Sequence, residues 1–567
     1  MTRWLLSALS ALLFAPAQAA DYDLLIRHAT LYDGSGGAGV IGDIAVRGDR
    51  IVAVGVAPGT ATRTIEASGL AAAPGFVNML SQADVALIAD GRGMSDLLQG
   101  VTLEVMGEGE SQGPFTPAMR ADEAAHQGDI RYDIAWGTLG GYLDWLAARG
   151  VSPNIASFVG AATVRVHELG AGDVQPSAPQ LAAMRGLVAQ AMREGAVGVS
   201  TGLIYNPGTY AKTPELIALA KEAAACGGIY ISHMRSESGH LLEAINELID
   251  ISRASGAPAQ IFHFKASGRA NWAKHDAAIA KVEAARASGL RIDADMYPYT
   301  IASTGLDAAM PAWVQEGGTE QWIARLRVPA NRARVAAEMT GADPGFDSLY
   351  QSAGGAENII LTAFRNPALK PLTGKTLAEV ARMRGRAPEE VAMDLVIEDG
   401  SRVGTFYRVM DEARVRQIAA LPWVSFGSDA AAQAPEGPFL LSRPHPRAYG
   451  TFARILGPYA RDAGLMSVGQ AVRKLAALPA ETLGLKDRGR LAPGYFADIV
   501  LFDPAQVTDK ATIDAPARYA SGVRTVLVNG VEVVRDGRHT GARPGRVVRG
   551  PGWTGWPGGG ACMPARP

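Results

Sequence analysis

The chain has 567 residues, which is too long for one compact core and implies two or more domains. With 48% hydrophobic and 19% charged residues the composition is that of an ordinary folded protein, and a net charge of −2 without basic runs or acidic tails gives no electrostatic support for binding nucleic acid or a membrane surface. The only cysteines are Cys226 and Cys562. One falls at a helix end and the other in a Gly/Pro-rich tail, so both are expected to be unpaired thiols.

Residues 1–19 carry one Arg, a short apolar core and Ala17-Gln18-Ala19, the pattern of a cleaved signal peptide. This predicts a periplasmic or secreted protein. The apolar core is too short to span a bilayer, and no later stretch is long enough either. Residues 20–73 alternate apolar and polar positions with a turn at Arg47-Gly48-Asp49, and residues 485–549 do the same around Asn529-Gly530. Two strand-rich ends around a long middle predict a small β-sandwich domain assembled from both.

From 74 to 484, apolar strand runs alternate with helices of 3.6-residue period, such as LLEAINELIDISRAS. Eight runs fit an α/β fold, a (β/α)8 TIM-like barrel: GFVNML, GVTLEVMGEG, NIASFVGA, AVGVSTGLIY, GIYISHM, AQIFHFK, RIDADMYPY and WVSFGSD. Residues 305–420 are too long for one crossover and predict an inserted region over the barrel mouth, with strand content near residues 358–362. Residues 550–567 read as a flexible tail.

The chemistry sits at strand ends. His233 and His263 end consecutive strands, so in a barrel both imidazoles reach one mouth, where they suit zinc. The fourth strand has no lysine to become a carboxylated ligand. The second strand ends in MGEGES, which offers Glu108 as the third anchor with Glu110 as its rival. Asp429 ends the eighth strand, where a carboxylate can move protons between water and a leaving amine. Lys265, on the same strand face as His263, joins Tyr297, Ser303 and Arg447 as candidates to bind a substrate carboxylate. Tyr299 ends the same strand as Tyr297.

Long strings carry a family resemblance: APGFVN, QGVTLEVMGEG, VGVSTGLIYNPGTYAKTPELIALAK, ISHMRSE, IFHFKASGRANW, DMYPYTIASTGL, FGSD, RPHPRAYGTFARILGPYARD and GRLAPGYFADIVLFD. From about Tyr22 to about Arg549 the chain resembles the N-acyl-D-amino-acid deacylases of the amidohydrolase superfamily. The resemblance implies a barrel plus a composite β-domain, with zinc at the barrel mouth. By position it makes His233 and His263 metal ligands, Asp429 the catalytic acid/base, and Lys265, Tyr297, Ser303 and Arg447 the grip on the substrate carboxylate. Two departures stand out. The His-x-His pair of the family reads Leu80-Ser81-Gln82, and its cysteine ligand falls on Gly109, between Glu108 and Glu110. Together they imply one zinc ion held by Glu108, His233 and His263. The implied substrate is an N-acyl amino acid or a dipeptide-like amide. Alternatives are a D-residue dipeptidase, a cyclic-amide hydrolase, or a degenerate binding protein.

Overall fold

The computed structural model describes residues 20–341 and 347–562; the signal-peptide stretch lies outside them. Eight parallel strands form the central barrel. They are Phe76–Asn78, Val101–Met106, Asn154–Ser157 (continued by Val159–Gly160), Gly198–Gly202, Ile229–His233, Ala259–Ile261, Ile292–Met296 and Val424–Phe426. Each pairs with the next in chain order except the seventh, whose partner, the eighth, follows after a long insertion. The ring closes between its first and last strands. Asp429 N donates to Leu80 O at 2.8 Å, and Ser81 bridges to Ala430 in parallel.

Strand alternation sorts the side chains. Val77, Leu103, Val105, Phe158, Ile231 and Phe262 fill the barrel interior, while Phe76, Val101, Tyr230, Ile261 and Ala294 face the helices. The helices bury one stripe each. In Leu241–Ser255 it is Leu241, Ala244, Ile245, Leu248 and Ile249, at the spacing of one helix face.

The two chain ends build one hydrogen-bonded sheet of nine strands rather than two separate sheets. Tyr22–Leu31 lies at its middle. Val40–Arg47 flanks that strand on one side, and Ala61–Glu66 and Ala71–Pro74 share the other. Ile499–Phe502 then joins Ala71–Pro74, so the C-terminal strands extend the N-terminal ones. The sheet nevertheless encloses a sandwich-like core in which Ile26, Ile44 and Val46 meet Ile499, Leu501 and Leu527.

The insertion between the seventh and eighth strands has a core of its own. Ile301–Gly305 and Ile359–Ala363 both pair antiparallel with Gly404–Arg408, and Trp322, Leu326, Val335, Leu395 and Tyr407 pack together. Its sheet therefore begins at Ile301, before residue 305, and its inner surface roofs the barrel mouth.

One sequence-based expectation is corrected. Cys226 and Cys562 form a disulfide. The segment up to residue 562 packs back across the barrel wall, with Val548 in the interior cluster and Gly550 N bonded to Gly195 O. Pairing across 336 residues leaves no trace in local pattern, so spacing alone pointed to free thiols. Among the described residues no helix is long and apolar enough to cross a membrane.

Candidate metal centre and active site

The barrel mouth opens into a cavity of about 850 Å³ beneath the insertion. Glu108, His233 and His263 converge at its floor. Glu108 Oε1 lies 2.9 Å from His263 Nε2 and 3.2 Å from His233 Nδ1. One donor atom from each residue lies within 4.8 Å of the others. Around a tetrahedral zinc ion with bonds of about 2.1 Å, donor atoms stand roughly 3.4 Å apart, so little adjustment is needed. His233 Nε2 is buried without a hydrogen-bond partner among the described residues. Two imidazoles and one carboxylate make a known zinc donor set, and the residues present fit a zinc ion. Glu110 lies at the exposed rim of the same cavity and is not part of this cluster.

Backbone geometry aims these groups. His263 and Asp429 have φ of 34° and 47°, a left-handed conformation that costs energy in residues other than glycine. Neighbouring bonds hold both turns. Asp295 Oδ1 accepts from His263 N at 2.8 Å, and Leu80 O accepts from Asp429 N. Both side chains line the cavity at the ends of their strands.

Behind the cluster, Glu237 Oε1 lies 2.9 Å from His263 Nδ1 and accepts from Lys265 Nζ at 2.5 Å. A carboxylate on the outer ring nitrogen fixes which nitrogen faces a metal and raises its basicity. Burial opposes the charge on Glu237, but Lys265 and the two imidazoles hold its carboxyl far below the usual range. For His263, burial and Lys265 favour the neutral ring, yet Glu237 and Glu108 prevail and push it up to about 10. The surplus negative charge that retains a proton there also suits a divalent cation. Glu237→Gln should weaken zinc binding by about 10- to 100-fold, read by competition with a chromophoric chelator. Unchanged affinity would show that Glu237 does not support the ligand.

Sequence patterning singled out Lys265, Tyr297, Ser303, Arg447 and Asp429 as well, and all five line the cavity. Their partners refine the expected picture. Lys265 is taken up by Glu237 and by His263, whose Nδ1 is 2.7 Å away, so it braces the metal cluster. Arg447 Nη1 lies 2.8 Å from Asp429 Oδ2, and its guanidinium stacks 4.4 Å from the centre of the Tyr297 ring. Arg447 Nε is buried without a partner among the described residues. Tyr299 turns elsewhere, its hydroxyl donating to Asp509 Oδ2 at 3.3 Å. Burial raises the Asp429 carboxyl, with Arg447 pulling it down and Glu108 pushing it up.

Patterning missed Glu237, Asp295 and the contacts of Gln82. Glu237 follows His233 by four residues within ISHMRSE, a usable signal. Gln82 Nε2 donates to Glu108 Oε2 at 2.7 Å and reaches Asp429 Oδ1 at 3.5 Å. The amide thus sits beside the Glu108 carboxylate. Leu80 is buried in the barrel interior.

Beneath Asp429, Ser428 N donates to Asn78 Oδ1, and Asn78 Nδ2 contacts Glu104 and Asp96, both fully buried. Burial pushes the Glu104 carboxyl up to about 7 from an ordinary 4.5. Below pH 4.5 both folded and unfolded chains hold this proton. As pH rises through that value toward 7 only the unfolded chain releases it, so stability falls across that window. Glu104→Gln should therefore stabilise the fold at pH 8 by up to about 3 kcal/mol, and the gain should vanish near pH 4. Thermal melts at the two pH values test this, and a gain that persists at pH 4 would contradict it.

Imidazoles and a carboxylate gathered at this mouth make a metal site of catalytic type, and comparison with known proteins gives the class. A sequence profile of the amidohydrolase family matches residues 63–534. A D-aminoacylase from Alcaligenes xylosoxydans xylosoxydans is 35% identical over 93% of this chain and 97% of its own length. A D-aminoacylase structure, described in terms of a binuclear metal centre with one-metal activation and second-metal attenuation, superposes with a TM-score of 0.77. It shows 32% identity over 93% of this chain and all of that one. The N-acyl-D-glutamate deacylase of Bordetella bronchiseptica, solved with zinc and a phosphonate mimic of the tetrahedral intermediate, gives a TM-score of 0.77 at 30% identity, covering 93% and 99%. The chain belongs to the amidohydrolase family, in its D-aminoacylase branch.

Proposed function

We propose that this protein hydrolyses the amide bond of N-acyl-D-amino acids, with one zinc ion held by Glu108, His233 and His263. The observation that carries the reading is the convergence of these three donors beside Asp429. Zinc bound there supplies a Lewis acid for the acyl carbonyl and lowers the pKa of water. Asp429 takes the proton from the attacking water and passes it to the departing nitrogen; its burial, which raises the carboxyl, favours that exchange. Arg447, with Tyr297 against its face, binds the substrate carboxylate and keeps Asp429 oriented. Ser303, on the roof of the cavity, adds a hydroxyl to that grip. A single ion is favoured because Leu80 carries no donor atom and the Gln82 amide is committed to Glu108.

The export reading of residues 1–19 leads us to place the protein in the periplasm or outside the cell, where the Cys226–Cys562 bond suits the oxidising conditions. The test of function is a screen of N-acetyl amino acids in both chiralities, with zinc measured on the same sample. Release of free D-amino acids, with L-enantiomers slower by about 100-fold or more, is expected. Zinc-loaded protein that cleaves neither series would overturn the proposal.

A further inference from the structure

Three of the carboxylates around the cavity have Lys or Arg partners. Glu237 is paired with Lys265, Asp307 with Arg402 and Asp429 with Arg447. Asp84, Glu110 and Glu123 also line the cavity and enter no ion pair among the described residues. Asp84 follows Gln82 by two residues, and Glu110 follows Glu108 by two. Their Cα atoms therefore stand at most about 7 Å from those of the two hydrogen-bonded residues at the metal cluster. Glu123 faces them from the helix Pro117–His126 and accepts from Tyr132 Oη at 3.0 Å. Burial pushes the Glu123 carboxyl up, the Tyr132 bond pulls it down, and the Asp84 and Asp122 charges push it further up.

Gln112 supplies an independent sign. It is only 8% exposed and lines the same cavity. Its Nε2 donates to Asp84 Oδ2 at 2.9 Å, while its Oε1 has no partner among the described residues. The amide cannot be turned round, because Oε1 would then face the carboxylate. An orphaned acceptor beside three unpaired carboxylates calls for a donor that carries positive charge. A bound metal does not meet the need, since among the described residues only the Glu108 cluster brings three donor atoms within reach of one ion.

We propose that this acidic end of the cavity binds a cationic amine of the substrate, so that the preferred amides carry an ammonium group on the acyl portion or on the amino-acid side chain. The inference rests on the deacylase reading and names its substrate class. An ammonium reaches Asp84 and Glu110 in either of two ways: as the α-amine of an aminoacyl group, next to the scissile carbonyl, or as the end of a basic side chain.

Two matched pairs separate these sources. Alanyl-D-alanine differs from propionyl-D-alanine by the α-ammonium alone, and N-acetyl-D-lysine from N-acetyl-D-norleucine by the ε-ammonium alone. With the zinc-loaded enzyme, kcat/KM should favour the charged member of one pair by about tenfold or more, and that pair identifies the source. In the Asp84→Asn/Glu110→Gln double variant the ratio should fall toward one. Equal or faster turnover of the neutral member in both pairs would overturn the inference, as would a ratio that survives the double substitution. If none of the four compounds is cleaved, the deacylase reading fails. Calorimetry with the same compounds then decides the present point separately: tighter binding of a charged member sustains it, and equal or weaker binding of both overturns it.

Discussion

Asp429→Asn is expected to lower kcat by about 10³-fold or more while zinc remains bound. The substitution keeps the shape of the side chain and its backbone bond to Leu80 O but removes the carboxylate that exchanges the proton. Asparagine also tolerates the left-handed backbone conformation held at this position. The fold and the Glu108 cluster should therefore survive, and metal content by atomic absorption should match the parent. Loss of zinc together with activity would mean that Asp429 acts as a ligand. Retained activity would remove it from the reaction.

Glu108→Ala should have the second large effect, abolishing tight zinc binding and lowering deacylase activity to the apo level. Here Leu80 offers no donor atom and Gln82 offers an amide already bonded to Glu108, so two histidines remain and cannot complete a tight tetrahedral site. The variant also leaves Gln82 Nε2 and both imidazoles without their shared acceptor in a buried floor. Some loss of thermal stability should accompany the loss of metal. Glu108→Cys, which restores a metal-binding thiolate nearby, should recover part of the zinc affinity, whereas a purely structural role for Glu108 predicts no such rescue.

Much of the site was legible because barrel geometry turns strand order into proximity. His233 and His263 could be placed together from the chain alone, since consecutive parallel strands pair and their ends face one mouth. Glu108 could be narrowed only to one of two acids in a Gly-rich turn. The choice depends on the backbone at Gly107 and Gly109, both at positive φ, which aims one side chain inward and leaves the other at the rim. Lys265 was correctly placed on the cavity face, but its pairing with Glu237 depends on a loop path that periodicity does not encode. The disulfide was invisible for the same reason, since it joins a helix end to a tail far along the chain. The acids Asp84 and Glu123 gave no signal in sequence either, and Glu110 only as a rival ligand, because the three come from separate segments that meet only at the mouth.

The central claim, a hydrolase that works with one zinc ion on Glu108, His233 and His263, is tested most directly by metal titration. Chelator-stripped protein should be inactive and regain N-acyl-D-amino-acid hydrolysis linearly up to one equivalent of zinc, with no further gain beyond it. Activity that survives stripping, or that appears only as a second equivalent binds, would contradict the account.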